Sequence, residues 1–230
     1  MGHEVVQINE NTWRIEDGGV RFFLLEGTER ALLVDSGMNL PDARDIAESL
    51  TDKPVSLLNT HADRDHIGGN GRFERFYMHP AEADNYRAAG GTGEILPVEE
   101  GDELDLGQRP LKIIHLPGHT PGSVAVLDVK LRALISGDPI QERGGIFMFG
   151  AHRDMEAYIR SLDRLEARAG EFDEIWPSHA KLPVSPAIIG RLRDGARKVL
   201  SGEIAGEPKE IHGQRIVAYD LGVATLLCGK

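Results

Sequence analysis

One ten-residue run, Thr60-His61-Ala62-Asp63-Arg64-Asp65-His66-Ile67-Gly68-Gly69, constrains this chain more than any other feature. It packs two histidines and two aspartates into six consecutive positions, directly after an apolar strand-like run. Imidazole and carboxylate are the donor set of divalent transition metals. Four such groups exceed what one tetrahedral ion takes from a single loop, so the run predicts a metal pair completed from elsewhere in the chain. After an extended strand, side chains at i and i+2 project to the same side, and His61 and Asp63 are expected to face one metal together. Asp65 and His66 follow in a turn, where adjacent side chains diverge towards a second. Gly68 and Gly69 are expected to let the backbone turn tightly beside the cluster and start a short helix.

Three further candidates stand in Gly/Pro/Ser loops after apolar runs, where a scaffold presents functional groups. His119 lies in Leu116-Pro117-Gly118-His119-Thr120-Pro121-Gly122, Asp138 in Ser136-Gly137-Asp138-Pro139, and His179 in Trp176-Pro177-Ser178-His179. Strand-like runs at 20–25, 31–35, 55–59, 111–116, 123–129, 133–136 and 174–176 are interleaved with helical apolar spacing at 41–50 and 155–169. Asp154 is the expected N-cap of the second of these helices, with Gly170 just past its end. Another helix is expected to start at Ser185-Pro186, and two strands to close the chain. Interleaved strands and helices predict a layered α/β or α+β architecture. No low-complexity linker or charge block interrupts residues 1–230, which are read as a single domain.

Charge bounds the partners. The 230 residues carry a formal charge of -11, and no Lys/Arg cluster is placed to displace counterions from nucleic acid. Arg191, Arg193, Arg197 and Lys198 come nearest, and are read as solvating one helix face. No apolar run reaches the roughly 18 residues that span a bilayer, and the first residues lack the pattern of a signal peptide. The lone cysteine, Cys228, makes no internal disulfide, which fits a cytoplasmic protein, and its apolar surroundings suit a structural thiol. A small-molecule substrate is the expected partner, without nucleic acid or membrane; a homodimer stays open.

With Asp35 in Val34-Asp35-Ser36-Gly37, the His61 to His66 cluster, His119, Asp138 and His179 form five motifs in order, and with them the chain resembles the metallo-β-lactamase-fold hydrolases over nearly its full length. The run Val98 to Leu104 is similar to this family as well. The resemblance implies a four-layer αβ/βα sandwich with the metal site at one edge, between two sheets. It further implies that His61, Asp63 and His119 hold the first metal, that Asp65, His66 and His179 hold the second, and that Asp138 bridges them. Asp35 is then a residue behind the ligands that hydrogen-bonds to them and braces their loop. The family usually has a histidine where this chain has Asp63. A carboxylate there makes the first site harder and more anionic, so iron or manganese is better tolerated beside the zinc expected of the pair.

Two ions of this kind share a bridging hydroxide, and the expected activity is cleavage of a small ester, thioester or lactone, with Asp65 as catalytic residue orienting the nucleophile. No G-x-S-x-G elbow suggests a serine route. The helical substrate domain of typical glyoxalase II enzymes is not expected after the last strands. The alternatives are an iron-dependent redox enzyme of the same fold, persulfide dioxygenase-like or diiron, and a phosphodiesterase. Phe147 and Phe149, flanked by glycines, are expected to form an apolar wall beside Asp138, with His152 and His79 as further substrate-binding candidates. His115 is read as structural, and His3 and His212 as surface residues.

Overall fold

The parallel pairing of two short apolar strands decides where the 60–69 run ends up. The computed structural model describes residues 2–211 and 213–229, so His212 lies outside the described residues. A first sheet has β1 (Glu4–Asn9), β2 (Thr12–Asp17), β3 (Val20–Glu26), β4 (Ala31–Val34), β5 (Val55–Leu58), β6 (Arg75–Met78) and β7 (Glu94–Pro97) in chain order. β4 and β5 run parallel, pairing Leu33 with Leu57 and Val34 with Leu58. Their carboxyl ends therefore share one edge, and Asp35 and His61 leave the sheet there.

A second sheet contains β8 (Glu103–Asp105), β9 (Pro110–His115), β10 (Val124–Asp128), β11 (Ala133–Gly137) and β13 (Glu174–Pro177), the last being parallel to β11. β9 and β11 are both antiparallel to β10. The carboxyl ends of β9, β11 and β13 thus lie along one edge, which carries His119, Asp138 and His179. Val124 N donates to Thr60 O at 2.8 Å, which ties that edge to the matching edge of the first sheet. Ligands gather at carboxyl ends of strands in layered α/β folds for this topological reason. A third, smaller sheet joins β12 (Gly145–Met148), β16 (Thr225–Gly229), β15 (Gln214–Asp220) and β14 (Glu207–Ile211).

The first two sheets pack face to face. Phe23, Leu25, Leu32, Val34 and Leu58 meet Leu111, Ile113, Val126, Ile135 and Trp176 in one buried cluster, and the Phe23 and Trp176 rings stack with centroids 5.4 Å apart. On the outer face of the first sheet, α1 (Ala43–Leu50) and α3 (Ala83–Ala88) bury Ile46, Ala47 and Tyr86 against Leu24, Leu57 and Phe76. On the outer face of the second, α4 (Met155–Ala167) and α5 (Ile188–Leu200) bury Tyr158, Leu162, Ile189 and Leu192 against Ile114, Leu127 and Leu134. Helix, sheet, sheet and helix make the four expected layers. Among the described residues no helix is long and apolar enough to cross a membrane.

Local expectations are met with shifts at the ends. The helix expected at 41–50 begins at Ala43, because Pro41 and Asp42 form the turn before it. Asp154 caps α4, its carboxylate accepting from Ala157 N at 2.9 Å. The closing strands number three rather than two among the described residues. Arg191, Arg197 and Lys198 of α5 are exposed as expected, Arg197 while pairing with Asp163 of α4; Arg193 alone of the four is half-buried, against Glu166 of α4. Gly68 and Gly69 form the turn between two short helices: α2 (Arg64–Ile67) ends just before them, and a three-residue 3-10 helix, Asn70–Arg72, starts after Gly69 as its N-cap. A Cβ on Gly68 would stand 2.4 Å from Met38 O, so the residue is demanded by close backbone approach.

Candidate metal centre

Four imidazoles and three carboxylates converge where the two sheet edges meet. His61, Asp63 and His119 form one group of metal-donor atoms within 4.8 Å of one another, and Asp65, His66, Asp138 and His179 form a second. Asp138 lies between them. Its Oδ1 is 3.1 Å from His66 Nε2 and 3.2 Å from His179 Nε2, while Oδ2 is 3.7 Å from His119 Nε2. In the first group, Asp63 Oδ2 is 3.3 Å from His119 Nε2 and 3.6 Å from His61 Nε2.

Every ring is fixed through its other nitrogen. His66 Nδ1 donates to Asp35 Oδ2 at 2.8 Å, His119 Nδ1 to Phe147 O at 2.8 Å, and His179 Nδ1 to Gly19 O at 2.8 Å. Thr60 Oγ1 gives its proton to Asp35 Oδ2 at 2.8 Å and so accepts from His61 Nδ1 at 3.0 Å. With Nδ1 so engaged, each ring that gives up its other proton turns an Nε2 lone pair inward, the tautomer that a ligating histidine needs. His66 Nε2 and Asp138 Oδ1 are buried without a hydrogen-bond partner. Buried polar atoms are rarely left so, and a shared cation satisfies both. The donor set and these two orphaned atoms fit divalent metal.

The supporting residues are ordered by backbone. Asp35, 1% exposed, takes a left-handed φ of 67° and accepts from Thr60 N at 2.7 Å in addition to Thr60 Oγ1 and His66. A non-glycine residue held in that region costs of order 1–3 kcal/mol and persists where its surroundings over-determine it. Gly118, at φ 136°, brings the His119 loop onto α4, where a Cβ would meet Tyr158 Cα at 2.4 Å. Tyr158 Oη donates to Pro139 O at 2.8 Å and holds the Asp138 loop.

The carboxylates make this edge attract positive charge. Burial works to lower the His179 pKa, but Asp138 and Asp65 outweigh it and push it up to about 10. His66 is also raised against its burial, by Asp138, Asp35 and Asp65. Asp63 moves the other way: burial opposes its ionisation, yet hydrogen bonds and charge from His119 and His61 hold it far below the usual range. A cluster that gathers extra protons takes a cation in their place, because ligands bind metal by giving up those protons.

Beside the second group lies a cavity of about 480 Å³ lined by Asp63, Asp65, Asp138 and His179 together with Met38, Arg64, Gln141 and Phe147. Met38 is 54% exposed there. Arg64 is exposed and has no ion-pair partner among the described residues. Phe149 is outside the lining and packs against Phe147 with the rings tilted by 36° and centroids 5.1 Å apart. His79 and His152 do not line it either. His79 stacks on His115 and accepts from Ala81 N, being held by the 80–82 turn. His152 is exposed and left-handed, at φ 69°. Cys228 is half-buried, and burial pushes its thiol up to about 11, so it is not a thiolate near neutrality.

Two residues here escape sequence reasoning. Glu82, fully buried, accepts from Ala62 N and Gly122 N, both at 2.8 Å, and so joins the His61 loop to the His119 loop. Arg153 donates to Asp63 Oδ2 at 2.6 Å. Neither stands in a motif. The one available signal was the glycine-rich approach to Arg153.

Known proteins share this architecture. The acyl-coenzyme A thioesterase MBLAC2 of Gallus gallus is 28% identical over 221 residues, covering 78% of each chain. The hydroxyacylglutathione hydrolase of Gloeobacter violaceus is 32% identical over 162 residues, 67% of this chain and 60% of its own. The metallo-beta-lactamase from Pontibacter korlensis superposes with a TM-score of 0.73 at 17% identity, over 85% of this chain and 99% of that one, which shows the shared fold. The family model for the metallo-beta-lactamase superfamily matches residues 15–172. That span is well over half of the chain and includes the whole 60–69 run, and on it the protein belongs to the metallo-beta-lactamase superfamily of metal-binding hydrolases.

Proposed function

We propose that this protein is a dinuclear metal-dependent hydrolase of acyl thioesters. His61, Asp63 and His119 would hold one divalent ion, Asp65, His66 and His179 the other, and Asp138 both. The observation that carries the reading is the carboxylate of Asp138, reaching donors of both groups at the rim of a cavity with an apolar wall. When bound, such a pair of ions supplies a nucleophile of hydroxide strength at neutral pH and polarises a carbonyl. Zinc suits the four imidazoles; the Asp63 carboxylate extends the tolerance to iron or manganese.

The remaining work falls to this chain's own residues. Asp65, partly open to the cavity and 3.2 Å from His179 Nε2, orients the nucleophile and receives its proton for the leaving group. Met38 and Phe147 take the apolar acyl part. Arg64, between two ligands in sequence and without a carboxylate partner among the described residues, faces an anionic group on the carrier. Among esters, lactones and thioesters, the thioester is favoured by the names and coverage of the relatives, acyl-coenzyme A thioesterase and hydroxyacylglutathione hydrolase. The proposal takes 1–230 as one domain, in the cytoplasm.

The test is hydrolysis of a panel of acyl-coenzyme A esters, hydroxyacylglutathione, a lactone and a phosphodiester, before and after chelation. Metal-dependent cleavage of the thioesters above the others is expected. Preference for the phosphodiester would replace the thioester reading with the phosphodiesterase one. Asp63 favours a second reading, an iron-dependent redox enzyme of the same fold. Visible absorption and metal content of protein purified without added metal decide it, with iron in place of zinc favouring the redox reading.

A further inference from the structure

We propose that Arg153 is a positioning residue that holds Asp63 as a ligand and cancels the charge that a carboxylate adds at this position. The inference rests on the dinuclear reading above.

Asp63 departs from the histidine of the resembled family by exchanging a neutral imidazole for an anion. Arg153 supplies one positive charge at that same group. Its Nη2 is 2.6 Å from Asp63 Oδ2, the oxygen that also faces His119 Nε2 at 3.3 Å. The pair is largely shielded, with the side chains 12% and 25% exposed. Asp63 is the hydrogen-bond partner of Arg153 among the described residues. A charge-assisted contact of this length is strong and directional, and it fixes the carboxylate rotamer that points Oδ2 inward.

The chain segment that delivers Arg153 supports the first group twice. Phe147 O, in β12, accepts from His119 Nδ1 at 2.8 Å. The segment ends where Asp154 N donates to Gly118 O at 2.9 Å and Asp154 caps α4, next to the His119 loop. Between these two anchors, Arg153 reaches Asp63. One segment therefore orients both His119 and Asp63, as the outer partners of metal ligands do elsewhere.

Charge cancellation distinguishes this from simple packing. Beside Asp63 the guanidinium offsets an anion. Beside a histidine at position 63 it would only repel the ion. The two positions should therefore be coupled. Zinc binding is to be measured by competition with a chromophoric chelator for the wild type, Arg153→Met, Arg153→Lys, Asp63→His and the double variant, with circular dichroism to verify folding. Arg153→Met is expected to weaken one of two zinc-binding steps by about tenfold or more, the usual cost of losing such a partner, and Arg153→Lys to recover part of that loss. In the Asp63→His background, Arg153→Met should leave that step unchanged or tighten it. An equal loss in both backgrounds would reduce Arg153 to packing and overturn the inference, as would unaltered zinc binding in Arg153→Met. A wild type that binds no zinc would overturn the dinuclear reading itself, and this inference with it.

Discussion

Asp35 and His66, from the first turns after two parallel strands, meet at 2.8 Å with 1% and 0% of their side chains exposed. The same carboxylate accepts from Thr60 N and Thr60 Oγ1, and the Thr60 hydroxyl accepts from His61. One buried carboxylate thus orients a histidine in each donor group.

Replacing it should loosen both groups together. Asp35→Ala is expected to lower metal affinity by about 10- to 100-fold and to destabilise the fold, since buried donors lose their acceptor at about 1–3 kcal/mol each. Asp35→Asn should fall between, because an amide oxygen can accept from only part of the set. Chelator competition and thermal unfolding read both effects. Wild-type affinity in Asp35→Ala would remove the bracing role.

The raised pKa of His179 gives a pH dependence for the metal-free protein. Its folded pKa of about 10 stands above the ordinary 6.5, so the protonated ring favours the folded state. That contribution is complete below pH 6.5 and is lost as pH rises through about 10. His66 is shifted in the same direction. Chelated protein should therefore lose thermal stability across this interval, while zinc-loaded protein, with no proton on Nε2 of these rings to lose, should hold its Tm. A metal-free Tm that rises over the interval would contradict the electrostatics of the second group.

The motifs were legible in the sequence because their donors cannot serve otherwise in such loops. The 60–69 run reaches its place by the parallel β4–β5 pairing, and apolar runs at 31–35 and 55–59 announced those strands. The β1 and β2 strands were not legible: β1 is an exposed edge, where apolar patterning is weak. Asp154 was readable as a cap because capping is local. Arg153 and Glu82 were not, since their partners lie 90 and 20 or more residues away and one charged side chain in a loop carries no pattern. His152 and Phe149 sit one residue and two residues from side chains that do reach the site, Arg153 and Phe147; β12 ends at Met148 and His152 lies in the turn at 151–152, so strand alternation does not fix where either points.

The apolar wall predicts chain-length selectivity. Phe147→Ala removes ring surface at the cavity, and a buried methylene is worth about 0.8 kcal/mol. The kcat/KM for long-chain acyl-coenzyme A should drop by roughly tenfold, and that for acetyl-coenzyme A by much less. Equal losses on both would show that Phe147 supports His119 through its backbone surroundings rather than touching the acyl chain.

Arg64→Gln should raise KM for acyl-coenzyme A by about three- to tenfold at low salt, as loss of one exposed charge contact does, with kcat little changed. Added salt should shrink the difference. A neutral thioester such as an S-acyl-N-acetylcysteamine should show none. An effect of the same size on the neutral substrate would place Arg64 outside carrier recognition.

The most direct test is metal stoichiometry by mass spectrometry of native protein and elemental analysis of the same preparation. Two divalent ions per chain are predicted for the wild type, and fewer for His61→Ala and for Asp138→Ala, with hydrolysis lost in step. Folded wild-type protein that takes up no ion, or an Asp138→Ala variant that keeps both ions and full activity, would contradict the shared two-ion centre.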